Sequence, residues 1–249
     1  MIDYQKEVLI ALPHLDDEFA LVPIIKKITS NSKNKISIIY CAERNISNDM
    51  NNKRRKENLR ALESIGCRVE NITYINDFFK VDDLKLLDAA SDIHNFLTTF
   101  INKHNIKQIV TLNFEGGHPD HDSLALIVKK ISDSNKQLNC FFVPAYNSRR
   151  SLLFPVSVFR PLKSQQLHFY KEKHNLFVWI DAFFIALEYQ SERSAFMKLM
   201  PFIIFNIFFS KSIYISSQID IESVNWDNSL SLKRYSAIKQ NILNKIEVI

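Results

Sequence analysis

Glycine is nearly absent from this chain: 3 of 249 residues, where average usage near 7% would place about 17. The scarcity excludes chemistry. A G-x-G-x-x-G dinucleotide fingerprint needs three glycines within six residues, and a G-x-x-x-x-G-K-[ST] phosphate loop needs two at a fixed offset. Gly66, Gly116 and Gly117 meet neither spacing. Cysteine is as sparse. Cys41, Cys67 and Cys140 show no paired metal-ligand spacing, and their odd number argues against a disulfide framework. The first residues, Met1-Ile2-Asp3-Tyr4-Gln5-Lys6-Glu7, lack the apolar stretch of a signal peptide, so a cytoplasmic location is expected. Charge is not concentrated in one sign: Lys+Arg 32 against Asp+Glu 27 gives +5, spread without blocks. That balance does not point to nucleic acid as a partner.

What is present is an alternation. Short apolar runs at 7–12, 36–41, 69–75, 107–113 and 139–144 read as buried strands. Stretches 17–29, 50–65, 82–103 and 120–132 read as helices between them. Leu59, Leu62 and Ile65 give the second helix an apolar side beneath the charged KRRK run at 53–56, which is expected to face solvent. Gly66 follows where a helix-terminating glycine belongs. This pattern predicts an α/β, Rossmann-like open and mostly parallel sheet with helices on both faces, within one domain spanning 1–249. Residues 1–145 would form the core and 146–249 a less regular, substrate-side elaboration. A strand leading into a helix is expected over 176–191. The 199–209 run, LMPFIIFNIFF, is too short for a span of about 20 residues. It reads as core or channel wall, or as a surface that meets lipid.

Two segments carry chemistry. Pro13-His14-Leu15-Asp16-Asp17-Glu18 follows the first strand, and Gly116-Gly117-His118-Pro119-Asp120-His121-Asp122 follows the fourth. Imidazole and carboxylate donors suit zinc, whose catalytic sites keep three protein ligands and an open position. In an open parallel sheet both segments lie on the edge where ligands bind. Asp120 and Asp122 could orient a histidine, with helix capping as the alternative. Cys41 reads as packing, Arg149 and Arg150 as a solvated loop, and His94, His104, His168 and His174 as bland.

These segments resemble the LmbE/PIG-L superfamily of zinc-dependent N-deacetylases. Ala11-Leu12-Pro13-His14-Leu15-Asp16-Asp17-Glu18 is similar to its A-x-P-H-P-D-D-E motif, and Gly117-His118-Pro119-Asp120-His121 to its G-H-P-D-H motif. Arg54, Glu57, Ala61 and Ile65-Gly66 resemble a looser R-x-x-E-x-x-x-A element, and Tyr189-Gln190-Ser191-Glu192 a Y-x-S-Q element. Leu15 stands where proline is usual, and Phe19 where the family has small residues, which implies a bulkier cavity wall. The resemblance implies that His14, Asp17 and His121 hold zinc (Fe²⁺ suits the same donors). It also implies Asp16 as general base, His118 as oxyanion stabiliser or proton donor, and Arg54 and Asp77 as substrate contacts. The activity implied is removal of the acetyl group from an N-acetylated amino sugar, as a small molecule or lipid-linked conjugate, with peripheral membrane contact conceivable. Cleavage of a thiol-sugar amide and non-catalytic carbohydrate binding are the rival readings.

Overall fold

The computed structural model describes all residues except 32–35, 69–71, 148–156, 176, 210–211, 222–240, 247 and 249. Each apolar run bounded by polar turns becomes a strand: β1 (Val8–Leu12), then α1 (Val22–Asn31), β2 (Ile36–Tyr40), α2 (Asn48–Ser64) and β3 (Ile72–Tyr74). The alternation continues through α3 (Ala90–Lys103), β4 (Gln108–Leu112), α4 (Pro119–Ser134) and β5 (Asn139–Val143). These five strands are parallel and ordered β3-β2-β1-β4-β5. Side chains of β1 alternate between two cores: Val8, Ile10 and Leu12 pack on one sheet face, Leu9 and Ala11 on the other. Residues of α1 and α2 cover the first face, and those of α3 and α4 the second. Strands buried on both faces read as continuous apolar runs, which is why the sequence revealed them.

The C-terminal half extends this sheet. After the two-residue strands β6 (Tyr146–Asn147) and β7 (Ser157–Val158) come β8 (Phe169–Lys173), α5 (Val178–Glu188), α6 (Arg193–Phe209) and β9 (Ser212–Ser216). β9 runs antiparallel to β5, and β8 antiparallel to β9, completing a seven-stranded mixed sheet. The strand expected at the start of 176–191 therefore lies earlier, at 169–173, and the apolar VWIDAFFIALE stretch is helix throughout. No helix among the described residues is long and apolar enough to cross a membrane.

Two helix starts differ from the periodicity. Asp17–Leu21 forms a tight 3₁₀ turn before α1 begins, and 82–85 is a loop that leads through another at Leu86–Ala89 into α3. In the second case a carboxylate from a distant element intervenes. Asp120 accepts from the backbone N–H groups of Leu84 at 2.7 Å and Leu86 at 3.2 Å, and Leu84 takes a left-handed φ of 67°. The helix α2 ends as read: Gly66 has φ 85° and donates to Glu63 O. Ser47 caps its start, accepting from Met50 N.

Gly117 is required for a different reason. A Cβ there would stand 2.6 Å from the carbonyl oxygen of Tyr146, a backbone atom that cannot rotate away. Gly117→Ala is expected to cost about 1–3 kcal/mol by overpacking, measured as a lower urea midpoint with unchanged m.

Candidate metal centre and its cavity

The order β3-β2-β1-β4-β5 changes direction between β1 and β4, and the crevice beyond their carboxyl ends is a topological switch point. Both motif segments leave there. After β1 the backbone stays pinned to the neighbouring chain, with Cys41 N donating to Leu12 O and Ala42 N to Pro13 O. The following turn bends sharply. Asp16 adopts φ 96°, a region that Asp and Asn tolerate better than other side chains, and its N–H donates to Glu18 Oε2 at 3.1 Å. Leu15 is buried in the core. After β4, His118 caps α4 by accepting from Asp120 N at 3.2 Å, with Pro119 in the first turn. Asp122 pins the preceding loop, accepting from Glu115 N and Gly116 N.

The two loops converge. The Asp17 carboxylate lies between two imidazoles, 3.3 Å from His14 Nδ1 and 3.3 Å from His121 Nε2. A different Asp17 oxygen meets each imidazole, Oδ2 facing His14 and Oδ1 facing His121, and imidazole and carboxylate are donor types that hold a divalent ion such as zinc. His14, His118 and His121 also present ring atoms within 4.8 Å of one another. On its other side, His14 Nε2 lies 2.8 Å from Asp120 Oδ2 and 3.2 Å from Asp83 Oδ1. A carboxylate behind a ligating histidine fixes its tautomer and orientation, so these two aspartates read as supports of His14. Burial opposes charge on His14, but its contacts with Asp120, Asp17 and Asp83 win and raise its pKa. Burial, with His121 and His14 nearby, pushes the His118 imidazole down to about 3. Burial also pushes the Asp16 carboxyl up, with the Asp17 charge adding to the effect and Arg54, 3.9 Å away, opposing it.

Behind this layer sits a buried polar hub. The Glu18 carboxylate accepts from Tyr40 Oη at 2.9 Å, Asn58 Nδ2 at 3.3 Å and Tyr189 Oη as well as from Asp16 N. Tyr189 follows α5, so the C-terminal half reaches the base of the first motif through it. Along α2, Arg54, Glu57 and Asn58 face the same segment. Arg54 Nη2 is 3.3 Å from Glu192, Ser191 Oγ donates to Glu57 at 2.5 Å, and Asn58 donates to Tyr189 at 2.9 Å. The Y-x-S-Q-like element is thus a brace against α2.

One cavity of about 370 Å³ brings together His14, Asp16, Asp17, His118, His121 and Arg54. Its opposite wall is apolar: Phe19, Val158, Phe159, Phe196 and Leu199. Phe19 touches Phe159 and Phe196 with ring centroids 5.1 and 5.5 Å apart, the bulky wall its position implied. Leu199 gives the start of the 199–209 run a place on this wall. Asp77 is not brought here. It is half-exposed on the outer side of α2, where Arg55 Nη1 donates to it at 2.6 Å. Asp83 lines the cavity instead, from the loop that the periodicity had read as helix. Arg44, which also lines the cavity, was missed, and Glu192 had been seen only as part of the Y-x-S-Q-like element. Arg44 grips Glu192 through two nitrogens at 2.7 and 2.9 Å, a pairing 148 residues apart in sequence that no local pattern announces. The KRRK run is only half solvated: Lys53 and Lys56 are exposed, while Arg54 is buried and Arg55 partly so. Cys41 is core, His174 accepts from Trp179 Nε1, and His94, His104 and His168 line none of this cavity. Arg149 and Arg150 lie outside the described residues.

The second loop contains a titrating buried group. Glu115 accepts from Asn147 Nδ2 at 2.6 Å and Ala145 N at 2.8 Å, yet burial outweighs these donors and pushes its carboxyl up to about 8. The folded chain therefore holds a proton that the unfolded chain releases near pH 4.3. Stability from this group is full below that value, falls as pH rises to about 8, and is flat above. Urea unfolding at pH 5 and pH 9 should show this loss, and Glu115→Gln should remove it.

A sequence model of the family described as "PIG-L: GlcNAc-PI de-N-acetylase" matches residues 9–132. No curated protein matches the sequence. Among solved structures, a deacetylase from the biosynthesis pathway of teicoplanin is similar at 14% identity and TM-score 0.60, over 84% of this chain and 96% of that one. The zinc-inhibited form of teicoplanin deacetylase Orf2 is similar at 13% and 0.60, over 85% and 97%. N,N'-diacetylchitobiose deacetylase from Pyrococcus horikoshii is similar at 16% and 0.56, over 85% and 82%. These structures share the fold, the matched segment spans both motif loops, and the loops meet in one candidate metal centre. The chain belongs to the PIG-L/LmbE family of metal-dependent de-N-acetylases.

Proposed function

We propose that this protein is a cytoplasmic zinc hydrolase that removes the acetyl group from an N-acetylated amino sugar, of N-acetylglucosamine type, within a larger conjugate. The observation that carries the reading is the juxtaposition of Asp16 with His14, Asp17 and His121 on the wall of one cavity. Its volume falls within the range of small-molecule sites. His14, Asp17 and His121 would hold the ion. When bound, zinc supplies Lewis acidity, drawing the pKa of a coordinated water toward about 7 and polarising the amide carbonyl.

The remaining steps belong to side chains. Asp16 takes the proton of the attacking water as general base, and Arg54, 3.9 Å from its Oδ1, holds it in place. His118 is neutral, and its Nδ1 accepts from Asp120 N. Its Nε2 therefore carries the proton, free to stabilise the tetrahedral oxyanion and then to protonate the leaving amine. Asp83, beside His14, and Arg54 are the groups nearest to hand for sugar hydroxyls. Asp77, held by Arg55 outside the cavity, has no part in this reading. The aromatic wall suits the apolar face of a sugar ring or of its aglycone. A lipid aglycone draws support from Leu199 on that wall and from Met197 and Ile204, exposed on the same helix. Flotation with liposomes tests it, and unchanged binding on mutating Met197 and Ile204 to Ser would count against membrane contact.

A thiol-sugar amidase would use the same centre; a pure binding protein would have no use for Asp16. Asp16→Ala should keep stoichiometric metal and lose on the order of 10²–10⁴-fold in turnover, whereas His121→Ala should lose the metal. Metal analysis with amine release from N-acetyl sugars, nucleotide sugars and lipid-linked sugars decides between these readings. Full activity of the Asp16 variant would sink the mechanism, and a folded wild type unable to hold any divalent ion would sink the reading.

A further inference from the structure

A histidine outside the catalytic cavity is tied to the cavity's aromatic wall. His174 follows β8, and both of its ring nitrogens are engaged. Nδ1 lies 3.0 Å from the carbonyl oxygen of Asn175, which can only accept. Nε2 lies 3.1 Å from the indole Nε1 of Trp179, which can only donate. These partners fix a single tautomer, with the proton on Nδ1 and a lone pair on Nε2. The ring is therefore neutral. Burial opposes its charge and outweighs the Asn175 and Ser212 carbonyls and Glu172, so its pKa is lowered. Glu172, on β8, is the one charged side chain among the described residues whose field reaches the ring, and Lys27 of α1 holds it at 2.5 Å. From β9 the Ser212 carbonyl bears on His174, and on α5 Asp181 is engaged by Lys26 at 3.2 Å.

Trp179 carries the consequence inward. It is buried, and its ring stacks on Phe159 with centroids 4.8 Å apart. Phe159 in turn lines the catalytic cavity and touches Phe19 at 5.1 Å. Its φ of 59° is a conformation that a bulky side chain keeps only under constraint. Two constraints are present, the N–H bond to Ala145 O at 2.8 Å and the Trp179 stack. Protonating His174 sets a second N–H against the indole N–H. Trp179 then loses its acceptor in a buried position, the costly outcome for a donor, and has to shift to find another. The strained Phe159 loses its backing at the same step.

We propose that His174 is a pH-sensitive latch: its protonation releases Trp179 and loosens the Phe159 wall of the catalytic cavity, so that substrate is held less well in acid. The loosening stands on these contacts alone, and only its effect on substrate rests on the deacetylase reading. Hydrogen exchange of the Phe159 amide, corrected for its intrinsic rate, reads the wall whether or not the protein turns over. In wild type its protection is expected to fall by about tenfold between pH 7.5 and pH 5, as loss of one hydrogen bond implies. His174→Gln brings a carbonyl, an acceptor that does not titrate, to the reach of Nε2 and should stay protected at both values. His174→Leu has no acceptor and should be poorly protected at both. Comparison with His174→Gln subtracts the titration of the metal ligands and of Glu115, which all variants share.

The second measurement is KM for the N-acetyl sugar at the same two pH values. It should rise several-fold more in wild type than in His174→Gln, with kcat changing alike in both. Exchange that responds as stated in a protein that deacetylates no sugar would support the latch and refute the activity. Deacetylation with the same exchange in wild type and His174→Gln at both pH values would overturn the latch and leave the activity standing. Equal KM changes in the two proteins would overturn the effect on substrate. Trp179→Phe, which removes the indole N–H and keeps a ring against Phe159, replaces any variant at 174 that fails to fold and should abolish the acid response.

Discussion

Parallel pairing of β1 with β4 is the constraint from which the site follows. The two strands come from segments about 100 residues apart, yet they lie side by side with Leu9 against Ile109 and Ile10 against Val110. Parallel neighbours end on the same edge, so the loops that leave them must emerge together. Because the connections diverge to opposite faces at this point, nothing of the sheet fills the space between the loops. His14 and Asp17 enter from one side and His121 from the other. The apolar cores on both faces, packed by α1 and α2 and by α3 and α4, hold that pairing in place, and the stability of the ligand geometry is borrowed from them.

The second support comes from α2. Arg54, Glu57 and Asn58 stand at i, i+3 and i+4, neighbours on one helical face. Each meets a residue of the 189–192 segment, as an ion pair, a hydroxyl–carboxylate bond and an amide–phenol bond. The same Asn58 and Tyr189 converge on Glu18, whose other oxygen holds the Asp16 amide. A chain of buried polar contacts thus runs from the C-terminal half to Asp16. Such a network is costly unless every member is paired. Here its partners come from three separate elements, so the C-terminal half both walls the cavity and holds the turn that carries Asp16.

The parts legible in the sequence are those fixed by local pattern. The four inner parallel strands, the edge strand β3, the cap at Gly66 and the two motif loops were all visible as apolar runs and residue spacing. The parts that were hidden depend on contacts between distant segments. Residues 82–85 carry a helical continuation of α3 in their sequence, but the Asp120 carboxylate takes the Leu84 and Leu86 amides and stops it. That one long-range interaction brings Asp83 to His14, while Asp77 lies outside the cavity, paired with Arg55. Likewise, KRRK reads as a solvated face until Glu192 and Asp16 draw Arg54 inward. A charge run shows how many charges there are, and only the fold shows which partner each has.

The shortage of glycine has a structural consequence at the same place. Among the described residues, four other than glycine take positive φ: Asp16, Leu84, Asn105 and Phe159. Asn105 follows the end of α3, where asparagine substitutes readily for glycine. The other three surround the site, and left-handed backbone at such residues costs free energy unless the surroundings enforce it. In each case the strained amide is held by one hydrogen bond. Asp16 N donates to Glu18, Leu84 N to Asp120 and Phe159 N to Ala145 O, and Phe159 also stacks on Trp179 at 4.8 Å. Two of these three acceptors are carboxylates of the motif loops themselves. Glu18 and Asp120 therefore fix the backbone that presents Asp16 and Asp83, a task that glycines would have left to a flexible turn. Where a glycine would make the bend easy, this chain makes it rigid.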